Sequence, residues 1–156
     1  VSGRGLADVS DKVGLEGLYY AGSHGFEISG PDGLEMENPK AGDFLPILDD
    51  IEAGLKRELE NVQGAQVERK KYSVATHYRN VPDEKVDLVK ETVEKCAEDH
   101  PELRMSGGKK VLELQPALDW DKGKAVEWLL CALGLDQPDV VPIYVGDDVT
   151  DEEDED

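Results

Sequence analysis

Three carboxylates follow the most apolar run near the end of the chain. Residues 140–145 form a near-continuous apolar segment that ends at Gly146, and Asp147, Asp148 and Asp151 come next. Such a run is typical of a strand buried on both faces of a parallel sheet, and ligands bind beyond the carboxyl ends of these strands. Because carboxylate oxygens suit a hard cation and repel one another without one, the pattern predicts a Mg²⁺ site here. The acids at 152–156 are interpreted as a solvated tail.

Two further segments could bind a phosphate group. Lys122 lies in the first turn of a predicted helix, within Asp-Lys-Gly-Lys-Ala, where a positive charge opposes the helix dipole. Near carboxylates this lysine would be a fixed charge able to hold a phosphate, although by itself a surface lysine is the simpler interpretation. Ser2, followed by Gly3 and Arg4, offers a hydroxyl and backbone amides ahead of a helix, which is a weak candidate for an anion cradle.

Polar side chains also occur on predicted strands in the middle of the chain. These residues are Glu68, Lys70, His77, Arg79 and Glu113. Glu68 and Lys70 share a strand face because they are two residues apart, and His77 and Arg79 share one for the same reason. From spacing alone, both faces are expected to be merely solvent-exposed. His24 lies in the glycine-bounded turn 22–25, where a histidine is more often structural than catalytic.

The charge balance restricts the class of partner. The 156 residues contain 36 acidic and 17 basic side chains, a formal net charge of −19, so nucleic acid would be repelled. No stretch approaches the ~20 apolar residues that span a bilayer, and no segment resembles a signal peptide. Cys96 and Cys131 lie in predicted helices without a metal or redox motif, which favours buried free thiols in a reducing cytoplasm.

Periodicity and turn signals predict the elements that must position these side chains. Helices are predicted at 6–13, 44–63, 82–97 and 121–133. Strands are predicted at 18–21, 26–28, 67–77 and 140–145, with a hairpin of 103–105 and 110–114 around Gly107 and Gly108. Residues 29–42 are predicted to form a loop or linker. The order indicates an α/β protein with a parallel core at both chain ends and an antiparallel insert between them.

Six short motifs, taken together, resemble one enzyme family. In chain order they are Ser-Gly-Arg, Gly-Ser-His-Gly, Val-Glu-x-Lys-Lys with His-Tyr-Arg, Gly-Lys-Lys-Val-Leu-Glu-Leu-x-Pro, Asp-Lys-Gly-Lys-Ala and Gly-Asp-Asp-Val-Thr-Asp-Glu. The chain from Val1 to Glu152 is similar in these motifs to the trehalose-6-phosphate phosphatases, which are haloacid dehalogenase-like phosphatases. The resemblance implies a Rossmann-like core with an inserted α/β cap domain, and hydrolysis of a sugar phosphate in trehalose biosynthesis with Mg²⁺ as cofactor.

The resemblance also implies roles for particular residues. Ser2 matches the hydroxyl that contacts the transferring phosphoryl group, and Lys122 matches the lysine that neutralises the phosphate. Asp147, with Asp148 and Asp151, matches the acidic motif that holds Mg²⁺, and Asp147 is also assigned to catalysis. The residues that would contact the sugar are Arg4 and His24 from the core, and Glu68, Lys70, Arg79 and Glu113 from the cap.

Domain bounds and two departures complete the comparison with the family pattern. The core is expected at 1–40 and 116–156, and the cap at 41–115. Gln115 stands where the family most often has Arg. The family's first motif, Asp-x-Asp-Gly-Thr, whose first aspartate forms the aspartyl-phosphate, is absent from the chain. The chain is therefore interpreted as an internal fragment, inactive by itself, of an enzyme that is active when intact.

Two alternatives to this activity stay open at the level of sequence. One is a related sugar-phosphate phosphatase that acts on another substrate. The other is a non-catalytic, phosphatase-like regulatory domain of a trehalose-phosphate synthase. The expected partners are a small sugar phosphate and a trehalose-phosphate synthase domain or subunit, with neither nucleic acid nor membrane, in the cytoplasm.

Overall fold

The computed structural model describes residues 1–146 and divides the chain into two compact units. The first unit combines Val1–Asn38 with the described chain from Asp119, and the second is Pro39–Leu118. These bounds lie a few residues from the expected ones, and the interpretation of the second unit as a cap domain stays a prediction. No helix within the described part is both long and apolar enough to cross a membrane.

Helices and strands alternate along both units. The helices are α1 (Leu6–Val13), α2 (Leu45–Glu58), α3 (Asp83–Asp99) and α4 (Lys122–Ala132). The strands are β1 (Tyr20–Gly22), β2 (Glu27–Ser29), β3 (Glu35–Glu37), β4 (Gln66–Lys70), β5 (Ser73–His77), β6 (Leu103–Gly108) and β7 (Val111–Pro116). Single turns of 3₁₀ helix lie at Ser23–Gly25, Pro31–Gly33 and Ala41–Phe44. All four predicted helices are confirmed, although α2 ends earlier than expected.

The first unit contains a small antiparallel sheet in the order β1-β2-β3. Its core joins Ala21 and Ile28 of the sheet to Ala125 of α4. The predicted loop at 29–42 is wrong in part, because β3 lies within it. Leu34 and Met36 pack against the core and hold this segment to the sheet, although turn-forming residues surround it.

The predicted parallel strand at 140–145 is wrong. This segment has no strand structure, and the side chains of Val141, Ile143 and Val145 are 82–89% exposed. A strand needs neighbours that take its backbone N–H and C=O groups, and none of the strands within residues 1–146 pairs with it. The strands described in the first unit pair antiparallel, so the expected parallel pairing is not found among them either.

The second unit packs two helices on a four-stranded antiparallel sheet in the order β4-β5-β7-β6. Its core consists of alternate residues of the sheet and one face of each helix. The buried members are Leu48, Ile51, Leu55, Val74, Val93, Leu103 and Leu114. Because strand side chains alternate between faces, the residues between these positions lie on the opposite face of the sheet. That second face carries the polar residues considered below.

The predicted single strand at 67–77 is in fact the hairpin of β4 and β5. Lys70 pairs with Ser73, so the turn consists of Lys71 and Tyr72 alone. Neither residue is a typical turn former, which is why composition does not reveal the turn. The turn is stabilised instead by the buried ring of Tyr72 and by Arg69, whose guanidinium donates to the carbonyls of residues 70, 71 and 73.

The predicted second hairpin is confirmed as β6 and β7, with its turn displaced. Gly107 and Gly108 belong to the end of β6, and the turn is formed by Lys109 and Lys110. Lys110 adopts the left-handed conformation, with a φ angle of 66°. The displacement places two lysine side chains at the tip of this hairpin.

One buried hydroxyl provides a test of the packing in the second unit. Thr76 is fully buried on the helix side of β5, and within the described part of the chain its Oγ1 has no hydrogen-bond partner. An unsatisfied buried polar group costs stability, so Thr76→Val is expected to raise the free energy of unfolding by about 1 kcal/mol. Thermal unfolding of the full-length protein measures the change.

The matched control for Thr76→Val is Thr92→Val on α3. The Thr92 Oγ1 is exposed and donates to the Leu88 carbonyl at 2.7 Å, so its replacement should leave the melting temperature almost unchanged. A melting temperature for Thr76→Val at or below that of the control would contradict the prediction.

Candidate functional site

The segment Ser2–Arg4 is hydrogen-bonded beside the end of β1. The Ser2 amide donates to the Ala21 carbonyl at 2.8 Å, and the His24 amide donates to the Ser2 carbonyl at 3.0 Å. The Ser23 amide donates to the Arg4 carbonyl at 2.6 Å. These bonds bring together two loops that the sequence separates by about twenty residues, and local turn signals could not predict the pairing.

The side chains of this segment have distinct environments. The Arg4 amide donates to Ser2 Oγ at 3.1 Å, which orients the hydroxyl and leaves its proton to be donated. The exposed Arg4 guanidinium donates to Asp8 Oδ2 in α1 at 2.9 Å, and this bond lowers the pKa of the Asp8 carboxyl. Arg4 is therefore held over the first turn of α1.

His24 is held in a strained backbone conformation against a glycine. Its φ angle is 57°, in the left-handed region, within the 3₁₀ turn Ser23–Gly25. A Cβ atom added to Gly3 would lie 2.8 Å from the imidazole Cε1 and Nε2 atoms. Glycine at position 3 thus lets the His24 ring lie directly on the backbone between Ser2 and Arg4.

Lys122 opens α4 and is buried, with 9% of its surface exposed. Asp121 caps the helix by accepting from the Lys124 amide at 2.8 Å. Lys124 pairs with the exposed Asp119, which raises the pKa of Lys124 and lowers that of Asp119. Of the two lysines in this first turn, the buried one is the candidate for a ligand.

Gly25 joins the histidine turn to the start of α4. The Trp120 indole N–H donates to the Gly25 carbonyl at 2.8 Å, and a Cβ atom on Gly25 would lie 2.4 Å from the Ala125 Cβ. The first unit therefore gathers four of the predicted site residues, because the loops that carry Ser2, Arg4 and His24 pack with the helix that begins at Lys122.

The predicted metal ligands Asp147, Asp148 and Asp151 lie outside the described residues. Within residues 1–146, no cluster of three or more His, Cys, Asp or Glu side chains could hold a metal ion. The assignment of Mg²⁺ to these aspartates rests on the chemistry of the carboxylates and stays a prediction, as does the catalytic role of Asp147.

In the second unit, Lys70 and Glu113 form a half-buried ion pair on the polar face of the sheet. Lys70 Nζ lies 2.8 Å from Glu113 Oε1, and Ser73 Oγ donates to the same carboxylate oxygen. The register pairs Ala75 with both Glu68 and Glu113, so the two glutamates share this face. Strands β4 and β7, which flank β5, thus present Glu68, Lys70 and Glu113 on one face of the sheet.

A groove of about 800 Å³ lies at the end of the same face. It is lined by Gly64, Gln66, Val67, Glu68, His77, Arg79, Asn80, Lys109 and Lys110. His77 Nε2 lies 2.8 Å from Glu68 Oε2, and Arg79 donates to the Lys109 carbonyl in a long bond of 3.5 Å. His77, Lys109 and Lys110 are additional candidates. They lie within the motifs His-Tyr-Arg and Gly-Lys-Lys-Val-Leu-Glu-Leu-x-Pro, but no role at the site was predicted for them from the sequence.

Gln115, which departs from the family pattern, is buried on the same face of β7 as Glu113. It pairs with Arg104 in the register of β6 and β7. Its Oε1 atom has no hydrogen-bond partner among the described residues.

The two cysteines have no structural link to these groups. Both are free thiols, and Cys96 is half-buried, which raises its pKa and makes it a poor nucleophile. Cys131 is exposed, so the expectation that both thiols are buried is wrong for it.

Comparison with known sequences places these residues in a family context. The model of the trehalose-phosphatase family matches residues 1–154. The trehalose-phosphate phosphatase of Mycobacterium marinum is 45% identical over 98% of this chain, and that of Mycobacterium tuberculosis strain H37Rv is 46% identical over 98%. In both cases the chain spans 39% of the relative's own length.

Solved structures share the fold. A trehalose-6-phosphate phosphatase related protein has a TM-score of 0.80 at 21% identity, covering 99% of this chain and 63% of that one. The C-terminal domain of the C. albicans trehalose-6-phosphate phosphatase has a TM-score of 0.76 at 25% identity, covering 99% and 57%. These likenesses confirm the predicted fold class, an α/β fold of the haloacid dehalogenase type with a cap.

Proposed function

Since the chain belongs to the trehalose-phosphatase family, we propose that the intact protein hydrolyses trehalose 6-phosphate to trehalose and phosphate. The observation that carries the proposal is the identity of 45% over 98% of the chain with a protein named for this activity. The chain spans about two fifths of that protein's length, so the activity is proposed for the full-length gene product.

The first unit is proposed to bind the phosphoryl group. Ser2 would donate its hydroxyl proton to a phosphoryl oxygen, because the Arg4 amide already occupies one lone pair of Oγ. Lys122 would neutralise the charge of the phosphate from the start of α4. The motif that carries the family's nucleophilic aspartate is absent from this chain, so these residues bind and orient the ester.

Mg²⁺ is the proposed cofactor. Asp147, Asp148 and Asp151 offer the oxygen donors that this cation prefers, and they are the residues that would hold it. When bound, the cation would supply positive charge to the phosphoryl group.

The second unit is proposed to bind the sugar. The carboxylates of Glu68 and Glu113 can accept hydrogen bonds from hydroxyl groups, and Lys70 and Arg79 can donate them. Arg4 and His24 of the first unit are assigned to the sugar as well. The half-buried pair of Lys70 and Glu113 supports this assignment, since mutual pairing holds both polar heads at fixed positions.

We also infer a cytoplasmic location and a functional link to trehalose-phosphate synthase. The two free thiols are consistent with a reducing compartment. The synthase is the class of enzyme that makes the proposed substrate, either as a separate subunit or as a domain of the same protein.

The test is phosphate release by the full-length protein in the presence of Mg²⁺. Trehalose 6-phosphate, sucrose 6-phosphate and a glucosylglycerol phosphate are compared at equal concentration. We expect the highest kcat/KM for trehalose 6-phosphate. A higher value for another ester would change the proposed substrate, and no release from any of the three would contradict the proposal in favour of a non-catalytic module.

A further inference from the structure

The contact between His77 and Glu68 is the feature of the groove that the proposed function does not use. Glu68 Oε2 lies 2.8 Å from His77 Nε2, and both side chains line the groove. We propose that His77 is a positioning residue, which holds the Glu68 carboxylate in the orientation that accepts a sugar hydroxyl. This inference rests on the proposed function, since it assumes that Glu68 contacts the sugar.

The sheet brings the two side chains together across neighbouring strands. Glu68 pairs with Ala75 in the register, and His77 pairs with Gln66, so Glu68 and His77 are diagonal neighbours on one face. Diagonal neighbours are too far apart for short side chains but within reach of long ones. A glutamate and a histidine at these positions therefore meet at their polar ends, over the groove.

The other charges of the groove explain why the carboxylate needs such a partner. Arg79, Lys109 and Lys110 all line it, and each could form an ion pair with an unrestrained Glu68. Pairing with one of these cations would hold the Glu68 carboxylate in an orientation different from the one that His77 fixes. His77, on the neighbouring strand β5, contacts Oε2 of Glu68 and leaves Oε1 of Glu68 to accept a hydrogen bond from a ligand.

The geometry also restricts which hydroxyl can bind. An unrestrained carboxylate accepts hydrogen bonds through about four lone pairs in any rotamer. With one oxygen held by the imidazole, the remaining oxygen has a defined direction relative to the sheet. His77 thereby contributes to sugar specificity without itself touching the sugar.

The experiment measures kcat and KM for trehalose 6-phosphate with the full-length protein and two variants, His77→Ala and His77→Gln. For His77→Ala we expect KM to rise about fivefold to tenfold, with kcat within about twofold of the wild type, because the binding lost is equal in the ground state and the transition state. His77→Gln should recover most of the affinity, since its amide N–H can occupy the position of Nε2.

The chain offers a matched control in a second histidine of the same unit. His100 Nδ1 lies 3.7 Å from Glu102 and does not line this groove, so His100→Ala should leave both kinetic constants unchanged. In a Glu68→Ala background, where the acceptor oxygens are removed, His77→Ala should have no further effect on KM. The side chains of Glu68 and His77 are 56% and 40% exposed, so their replacement leaves the core intact.

The outcomes separate this inference from the proposed function. If the wild-type protein releases phosphate and His77→Ala has a wild-type KM, the positioning role is wrong while the proposed function stands. The same conclusion follows if the effects of the Glu68 and His77 substitutions on KM are simply additive. If the wild-type protein does not release phosphate from trehalose 6-phosphate, both proposals fail.

Discussion

Replacement of Lys122 by alanine is expected to lower kcat for trehalose 6-phosphate by roughly 10²–10³-fold in the full-length protein, the usual effect of removing one charge-stabilising donor. Lys122 is the buried lysine at the start of α4, and the loops that carry Ser2 and His24 pack against that helix. Water screens the attraction between the developing charge of the phosphate and a buried cation only poorly, so removal of the cation should have a large effect on kcat. Steady-state phosphate release measures this change in kcat.

Lys124 provides the matched control for this substitution. It lies in the same helical turn, but its ammonium group pairs with the exposed Asp119. Lys124→Ala should therefore leave kcat within about twofold of the wild type, since surface pairs contribute little. A similar fall in kcat for both variants, or none for Lys122→Ala, would contradict the assignment.

The melting temperature distinguishes a catalytic role of Lys122 from a structural one. A positive charge in the first turn opposes the helix dipole, so its removal is not expected to destabilise α4. Lys122→Ala should keep the melting temperature of the wild type while it loses activity. A large fall in melting temperature would instead assign the buried lysine a structural role.

Replacement of Gly25 by alanine is expected to destabilise the protein strongly. Gly25 has a φ angle of 89°, and a Cβ atom there would lie 2.4 Å from the Ala125 Cβ and 3.2 Å from the Asp121 carbonyl oxygen. The left-handed conformation and the overpacking together should lower the free energy of unfolding by about 2–5 kcal/mol. Because Gly25 joins the His24 turn to the helix of Lys122, phosphate release should fall as well.

Gly33→Ala is the control that isolates the backbone cost. Gly33 has a φ angle of 76°, but a Cβ atom there has no neighbour within 4 Å. Gly33→Ala should therefore lower the free energy of unfolding only by the conformational cost of about 1–2 kcal/mol. Thermal unfolding measures both variants. An equal fall in the two melting temperatures would contradict the packing argument.

The helices could be predicted from the sequence because their signals are local. The apolar spacing of α1 and α3 and the cap of Asp121 on α4 all lie within the segments that they define. Strand pairing is less local. The hairpin of β4 and β5 was predicted as one strand, because its turn depends on the guanidinium of Arg69 rather than on glycine or asparagine.

The apolar run at 140–145 shows the opposite error. Its composition is that of a buried strand, yet residues 141–145 are exposed and none of the described strands pairs with the segment. The hydrophobicity of a segment indicates how much free energy its burial would contribute. Whether a partner strand is present depends on the rest of the fold.

The sequence by itself determined the family, the fold class and the identity of the candidate residues, because motifs and periodicity are properties of neighbouring residues. Only the tertiary structure decided which of those residues meet. The pairing of Ser2 and Arg4 with the His24 turn depends on backbone bonds between distant loops, and the contact of His77 with Glu68 depends on strand register. A shift of one residue in that register would move either side chain to the helix side of the sheet, so no local pattern can encode the contact.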